Sequence, residues 1–187
     1  MIRANLQQLA QVCAGDVIAA HAEVHIVGAE IDTRKLKPGQ LFVALRGEHV
    51  DGHDLLTAAT QAGAAAALVA RRMPEALPQL VVTNVAQALN AIARYWLDQL
   101  PALKRIALTG SNGKTTVKNL SYAILQRVAA TKASEGNRNN ELGVPLTALS
   151  MAPEHRFGVF EMGAGTPGDI EGYCAIVAPH VALVNNI

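Results

Sequence analysis

The chain has 187 residues, half of them hydrophobic, enough to bury a sizeable core in one or two domains. A net charge of +1, dispersed lysines and arginines and an aromatic content of 4% exclude the basic, aromatic-laced surface of a nucleic-acid binder. Cys13 and Cys174 make no disulfide or metal pattern, no apolar stretch is long enough for a bilayer, and residues 1–5 do not read as a signal peptide; a soluble cytoplasmic protein without membrane insertion is expected.

Asn5 is placed to cap a short helix carrying Leu6, Leu9, Ala10 and Cys13, with Gly15 as its stop. Residues 24–31 have strand character and deliver Asp32-Thr33-Arg34 at their end. Lys37-Pro38-Gly39-Gln40 has proline and glycine placed for a type II turn. A buried strand at 41–45 leads to a polar loop at 46–53, and Asp54 is placed to cap a helix over 55–62 that Gly63 ends. Two further short strands are expected at 66–70 and 80–83. Residues 1–83 therefore read as a small α/β domain.

From Asn84, the residues Val85, Ala88, Leu89, Ile92, Ala93, Trp96, Leu97 and Leu100 repeat at helical spacing, and Pro101 stops them. This predicts a connecting helix within 84–103, with Trp96 in the core rather than stacked on a ligand. Beyond it, strands at 105–109, 128–132, 157–162 and 180–185 alternate with helices at 115–127, 142–150 and 169–177. That order predicts a parallel sheet with right-handed crossovers over 104–187, with ligands beyond the carboxyl ends of its strands.

The first of those strands runs into Gly110-Ser111-Asn112-Gly113-Lys114-Thr115-Thr116. A glycine turn opening a helix aims backbone N–H groups at one point beside the positive end of the helix dipole. Lys114 adds a point charge for outer phosphates, and Thr115 offers its hydroxyl to Mg²⁺. The spacing is G-x-x-G-K-T, shorter than the common phosphate loop, whose first glycine would fall at Leu108. The competing reading is a glycine turn with a solvated lysine. Glu161, closing the apolar strand Gly158-Val159-Phe160, is placed to share the ion with Thr115 or to stand as a solvated acid. Asn137, Asn139 and Asn140 are either turn formers or hydrogen-bond donors to a polar ligand.

Other constellations carry less. His49, Asp51, His53 and Asp54 invite a metal reading, but Gly52 breaks the loop and no further ligand completes a set. A nucleotide switch or kinase would need a base-reading motif such as N-K-x-D, and none follows. A non-catalytic nucleotide- or substrate-binding module stays open.

The stretches Thr109–Thr116, Gly136–Thr147 and Glu161-Met162-Gly163-Ala164, with Asp32-Thr33-Arg34, residues 38–45 and Asp51-Gly52-His53-Asp54, resemble in order the Mur ligases, the ATP-dependent amino-acid ligases of peptidoglycan precursor synthesis. The phosphate loop alone is shared with folylpolyglutamate synthases. The asparagine block and Glu161-Met162-Gly163-Ala164 are most similar to the branch that adds D-alanyl-D-alanine to UDP-N-acetylmuramoyl-tripeptide.

The resemblance implies an N-terminal domain, residues 1–83, that holds the uridine diphosphate end of the substrate through Asp32, Thr33, Arg34, Gly47 and His49. It implies a mononucleotide-binding central domain, 104–187, that takes ATP on Gly110 to Thr116. Lys114 and Glu161 would be catalytic, Thr115 and Glu161 would hold Mg²⁺, and Asn137, Asn139 and Asn140 would lie near substrate and phosphates. Another Mur ligase or a folylpolyglutamate-synthase-like amide ligase is the alternative. Ser134 stands where relatives usually have threonine, and keeps the hydroxyl. The rest of the central domain, with a carbamylated lysine and a histidine, and a third domain for D-alanyl-D-alanine are absent, so a truncated, monomeric chain that does not ligate alone is expected.

Overall fold

The computed structural model describes residues 1–19, 23–47 and 49–186, so Glu48 of the polar loop lies outside the described residues. The chain divides into two compact units, Met1–Ile92 and Ala93–Ile187.

In the first unit, β1 (Arg3–Asn5) leads into α1 (Leu6–Cys13). The Asn5 side chain accepts from Gln7 N at 2.8 Å while Gln8 Oε1 accepts from Asn5 N at 3.1 Å, a reciprocal cap. The helix stops at Ala14 in the left-handed region, φ 50°, rather than at Gly15. Gly15 instead lies under residues 80–82: a Cβ there would meet Val82, Leu80 and the Val81 carbonyl within 2.9 Å.

The run at 24–31 is two strands. β3 (His25–Val27) pairs antiparallel with β1, whereas β4 (Ala29–Glu30) joins the main sheet beside β5 (Leu41–Val43). That sheet has the order β2-β7-β6-β5-β4, with β2 (Asp16–Ile18), β6 (Ala66–Val69) and β7 (Gln79–Val81). All its pairs are parallel except β2 with β7. β5 and β6 are buried along their whole length, which is why they read as unbroken apolar runs. Asp51, not Asp54, caps the helical segment after β5. It accepts from His53 N and starts a 3-10 turn, Gly52–Leu55, ahead of α2 (Leu56–Gln61). Phe42, Leu56, Ala67 and Val69 belong to the core between sheet and helix.

α3 (Val85–Asp98) starts at Asn84, whose side chain accepts from Gln87 N at 3.0 Å, and its apolar stripe is buried throughout. The division between units falls within this helix. Trp96 is buried, and its indole N–H donates to the Met151 carbonyl at 2.9 Å.

The second unit contains β8 (Lys104–Thr109), α4 (Lys114–Leu125), β9 (Thr131–Ala133), α5 (Gly143–Ser150), β10 (Phe157–Glu161), α6 (Asp169–Val177) and β11 (Val181–Val184). The sheet order is β11-β8-β10-β9, all parallel. α5 is buried from Gly143 to Leu149, consistent with its lack of a polar face. β10 pairs with β8 in a register that sets Glu161 beside Leu108. The acid thus reaches the carboxyl edge of the sheet where β8 hands over to the glycine turn.

Candidate functional site

The turn after β8 is backed by the end of β11. Asn185 N donates to Thr109 O at 2.8 Å, Ser111 N to Asn186 O at 3.0 Å, and Asn185 Nδ2 to Asn112 O at 2.9 Å. At Gly110, φ +140°, an added Cβ would overlap the Asn185 carbonyl oxygen. Glycine is therefore demanded here by a neighbouring backbone, a reason that local sequence does not display.

α4 begins after Gly113 with no side-chain cap, which leaves its leading N–H groups for an anion. Lys114 Nζ donates back to the carbonyl oxygens of Gly110 and Ser111, the latter at 3.2 Å, so the ammonium stands over the turn. Ser111, Asn112 and Thr116 are exposed around it.

Glu161 is the centre of the site and is 2% exposed. Thr115 Oγ1 lies 3.1 Å from both of its carboxylate oxygens. Asn139 Nδ2 donates to Oε1 at 2.9 Å, and Lys118 Nζ stands 3.2 Å from Oε2. Its backbone N–H donates to the Ser134 hydroxyl at 3.1 Å. The solvated-acid alternative for Glu161 is thereby removed.

The three asparagines separate. Asn139 reaches Glu161; Asn140 accepts from Gly143 N at 2.9 Å and opens α5; exposed Asn137 accepts on its carbonyl from Asn139 N at 2.8 Å. Lys118 escaped the sequence reading. Its position one turn after Lys114, on the same face of α4, was the available signal.

A cavity of about 470 Å³ opens beside these groups, bounded by Lys114, Asn139, Asn140, Thr166, Asp169 and Tyr173. The last three were also not anticipated. Asp169 accepts from the N–H groups of Gly165 and Thr166 and from the Thr166 hydroxyl, each at 2.8 Å. Those bonds, the Thr166 N–H foremost, hold its carboxyl below the usual range and shape the wall after β10.

Among the described residues no three His, Cys, Asp or Glu side chains are grouped to hold a metal. One hydroxyl against one carboxylate is nonetheless the oxygen-only donor set that suits Mg²⁺, which keeps waters and substrate phosphates as its other ligands.

The first unit's candidates sit after the carboxyl ends of β4 and β5. Arg34 clasps Asp32 with two bonds of 2.8 Å, and that side-chain contact first, then the Arg34 N–H, holds the Asp32 carboxyl at about 2. Thr33 lies in the same turn. Gly47 N donates to Val50 O at 2.9 Å, and His49 is exposed. His53 is buried with Nδ1 2.6 Å from Asp51 Oδ1, while its Nε2 accepts from Ala70 N at 2.9 Å. Both ring nitrogens are thus used within the fold, and the 49–54 segment is not a metal cluster.

A parallel sheet whose first strand opens a glycine turn into an uncapped helix, with the neighbouring strand bringing a buried carboxylate to the turn's threonine, defines an α/β domain of the phosphate-loop class. The chain belongs to the Mur ligase family: residues 23–97 match the Mur ligase family catalytic domain, and residues 108–187 match the Mur ligase middle domain.

It is similar to the UDP-N-acetylmuramoyl-tripeptide–D-alanyl-D-alanine ligase of Escherichia coli K12, 42% identical over 187 residues, which is 100% of this chain and 41% of that protein. The Bacillus subtilis protein of the same name is 35% identical over 100% of this chain and 42% of its own length. A crystal structure of MurF from Acinetobacter baumannii superimposes with a TM-score of 0.89 at 37% identity, covering 98% of this chain and 41% of that one. MurF from Thermotoga maritima in complex with ADP gives 0.76 at 32% identity, over 86% of this chain and 37% of that one. The chain thus spans about two-fifths of the length of the relatives it matches. Among the described residues no helix is long and apolar enough to cross a membrane.

Proposed function

We propose that this chain carries the nucleotide site and the uridine diphosphate end of the substrate site of an ATP-dependent ligase that joins D-alanyl-D-alanine to UDP-N-acetylmuramoyl-tripeptide. The observation that carries this reading is the convergence on Glu161 of Thr115 from the glycine turn and Asn139 from the asparagine block. It occurs in a chain that matches about two-fifths of the length of relatives bearing that ligase's name.

A tripeptide carboxylate attacks the γ-phosphate of ATP and displaces ADP to leave an acyl phosphate, so two anions must meet. Lys114 and the N–H groups of residues 110–116 bind and orient the phosphates and offset that repulsion. Thr115 and Glu161 would hold Mg²⁺, which supplies further neutralisation of the phosphates when bound. The acyl phosphate is then attacked by the amine of D-alanyl-D-alanine, expelling phosphate. Asn137, Asn139 and Asn140 border the reacting end. Half-buried Asp32 and Thr33, with exposed Arg34, Gly47 and His49, present polar groups to the uridine diphosphate. A cytoplasmic, monomeric setting accompanies this assignment.

Calorimetric titration of the chain with MgATP and, separately, with UDP-N-acetylmuramoyl-tripeptide tests it. Binding of both is expected. Binding of MgATP alone would favour a bare nucleotide-binding module, and binding of neither would overturn the reading.

A further inference from the structure

We infer that Lys118 is a positioning residue that reserves the Glu161 site for a divalent cation arriving with a nucleotide polyphosphate, by neutralising the carboxylate from inside the fold. The inference rests on reading residues 110–115 and Glu161 as the phosphate and metal site.

Two buried charges face each other: Lys118 is 4% exposed and Glu161 2%. Lys118 gives Oε2 more than a hydrogen bond. Both oxygens of Glu161 already lie 3.1 Å from the Thr115 hydroxyl, and Oε1 also accepts from Asn139. What Lys118 adds is a full positive charge 3.2 Å from Oε2, held in place by the Gly136 carbonyl 3.4 Å away. Two buried opposite charges compensate each other, whereas either alone is costly.

That compensation changes what the carboxylate attracts. Glu161 with Lys118 is a neutral unit, and Lys114, one turn earlier on α4, adds a second positive charge nearby. A bare divalent cation meets no net negative charge there. The same cation carried on a di- or triphosphate brings its own anion, which Lys114 and the N–H groups at the start of α4 take up. Lys118 thereby couples metal retention to nucleotide.

The test is Mn²⁺ binding to the chain followed by electron paramagnetic resonance, at about pH 8, with and without ADP. The wild-type chain is expected to retain Mn²⁺ with ADP and to bind it poorly alone. Lys118→Met is expected to tighten nucleotide-free Mn²⁺ binding about tenfold, the scale of one like charge removed from a few ångströms away. Lys118→Arg should return the wild-type pattern, which loss of packing alone would not produce. Should Lys118→Met fail to give a wild-type circular dichroism spectrum, Lys118→Gln, which keeps a donor to Glu161 and Gly136, takes its place with the same expected gain. Nucleotide-free Mn²⁺ affinity that is unchanged or weaker in the neutral variant overturns the inference about Lys118. A Glu161→Gln chain that binds Mn²⁺ and ADP as well as wild type overturns the metal site itself, and the inference with it.

Discussion

The two units use the carboxyl ends of their parallel sheets differently. In the first, polar groups pair with near neighbours in their own loops: Arg34 with Asp32, and the His53 ring with Asp51. In the second, Thr115 and Lys118 from α4 and Asn139 from the segment after β9 converge on one buried carboxylate, while the Ser134 hydroxyl takes the backbone N–H of the same residue. Local pairs fix the shape of a loop; Arg34 stays exposed while the His53 ring is buried beneath its own. Convergence on a buried charge fixes several segments against one another and keeps the charge out of water, where electrostatic interactions are strong. Under the proposed function, the second arrangement holds a transferring phosphate and the first presents a surface to a large polar ligand.

The largest expected effect breaks the convergence. Glu161→Leu leaves Lys118 buried without its counter-ion and should destabilise the second unit by about 3–5 kcal/mol, read from urea denaturation followed by circular dichroism. A loss under ~1 kcal/mol would mean that the cluster does not organise its segments. Next comes Lys114→Ala, which removes a charged donor hydrogen-bonded to its own turn and so tests ligand binding rather than folding. MgATP affinity should fall by about 2–3 kcal/mol, roughly thirty- to 150-fold, with the melting temperature little changed. Equal MgATP affinity in the variant would remove Lys114 from the phosphate site.

A pH series sharpens the other side of the comparison. Asp51 is held at about 2, first by the His53 N–H and then by its ring. The folded value lies below the unfolded one of about 3.9, so the stabilisation is present above roughly pH 4 and lost as pH falls towards 2. Asp51→Asn should therefore melt below wild type at pH 5–7, and the gap should close between about pH 4 and 2. A gap that persists unchanged at the acid end would show that the carboxylate charge is not what the loop uses.

How much of this was legible in sequence follows from the same contrast. The glycine turn, Lys114 and Thr115 are contiguous, and α3 repeats its stripe for many residues, so both were read directly. Lys118 was missed because its partner comes from another strand, and nothing near residue 118 signals a buried acid. β1 and β2, three residues each, are too short for an alternation to show. The run at 24–31 hid a break because both halves are apolar and only their pairing, with β1 and with β5, distinguishes them. Asp51 and Asp54 were equally good caps on paper. The 3-10 turn decided for the first by placing His53 N on its carboxylate.

The smallest expected effect concerns what the units share. α1 and α6 both stop on an alanine in the left-handed region, Ala14 at φ 50° and Ala178 at φ 42°, each donating its N–H back to the helix. A Cβ there costs about 1 kcal/mol that glycine avoids, partly offset by the greater freedom of glycine in the unfolded chain. Ala14→Gly and Ala178→Gly should each stabilise by about 0.5 kcal/mol in chemical denaturation, while MgATP affinity stays at the wild-type value. Equal gains would show that backbone economy is the same in both units and that their difference lies in where the charges meet. A loss at either position would mean that the alanine methyl packs well enough to outweigh its strain.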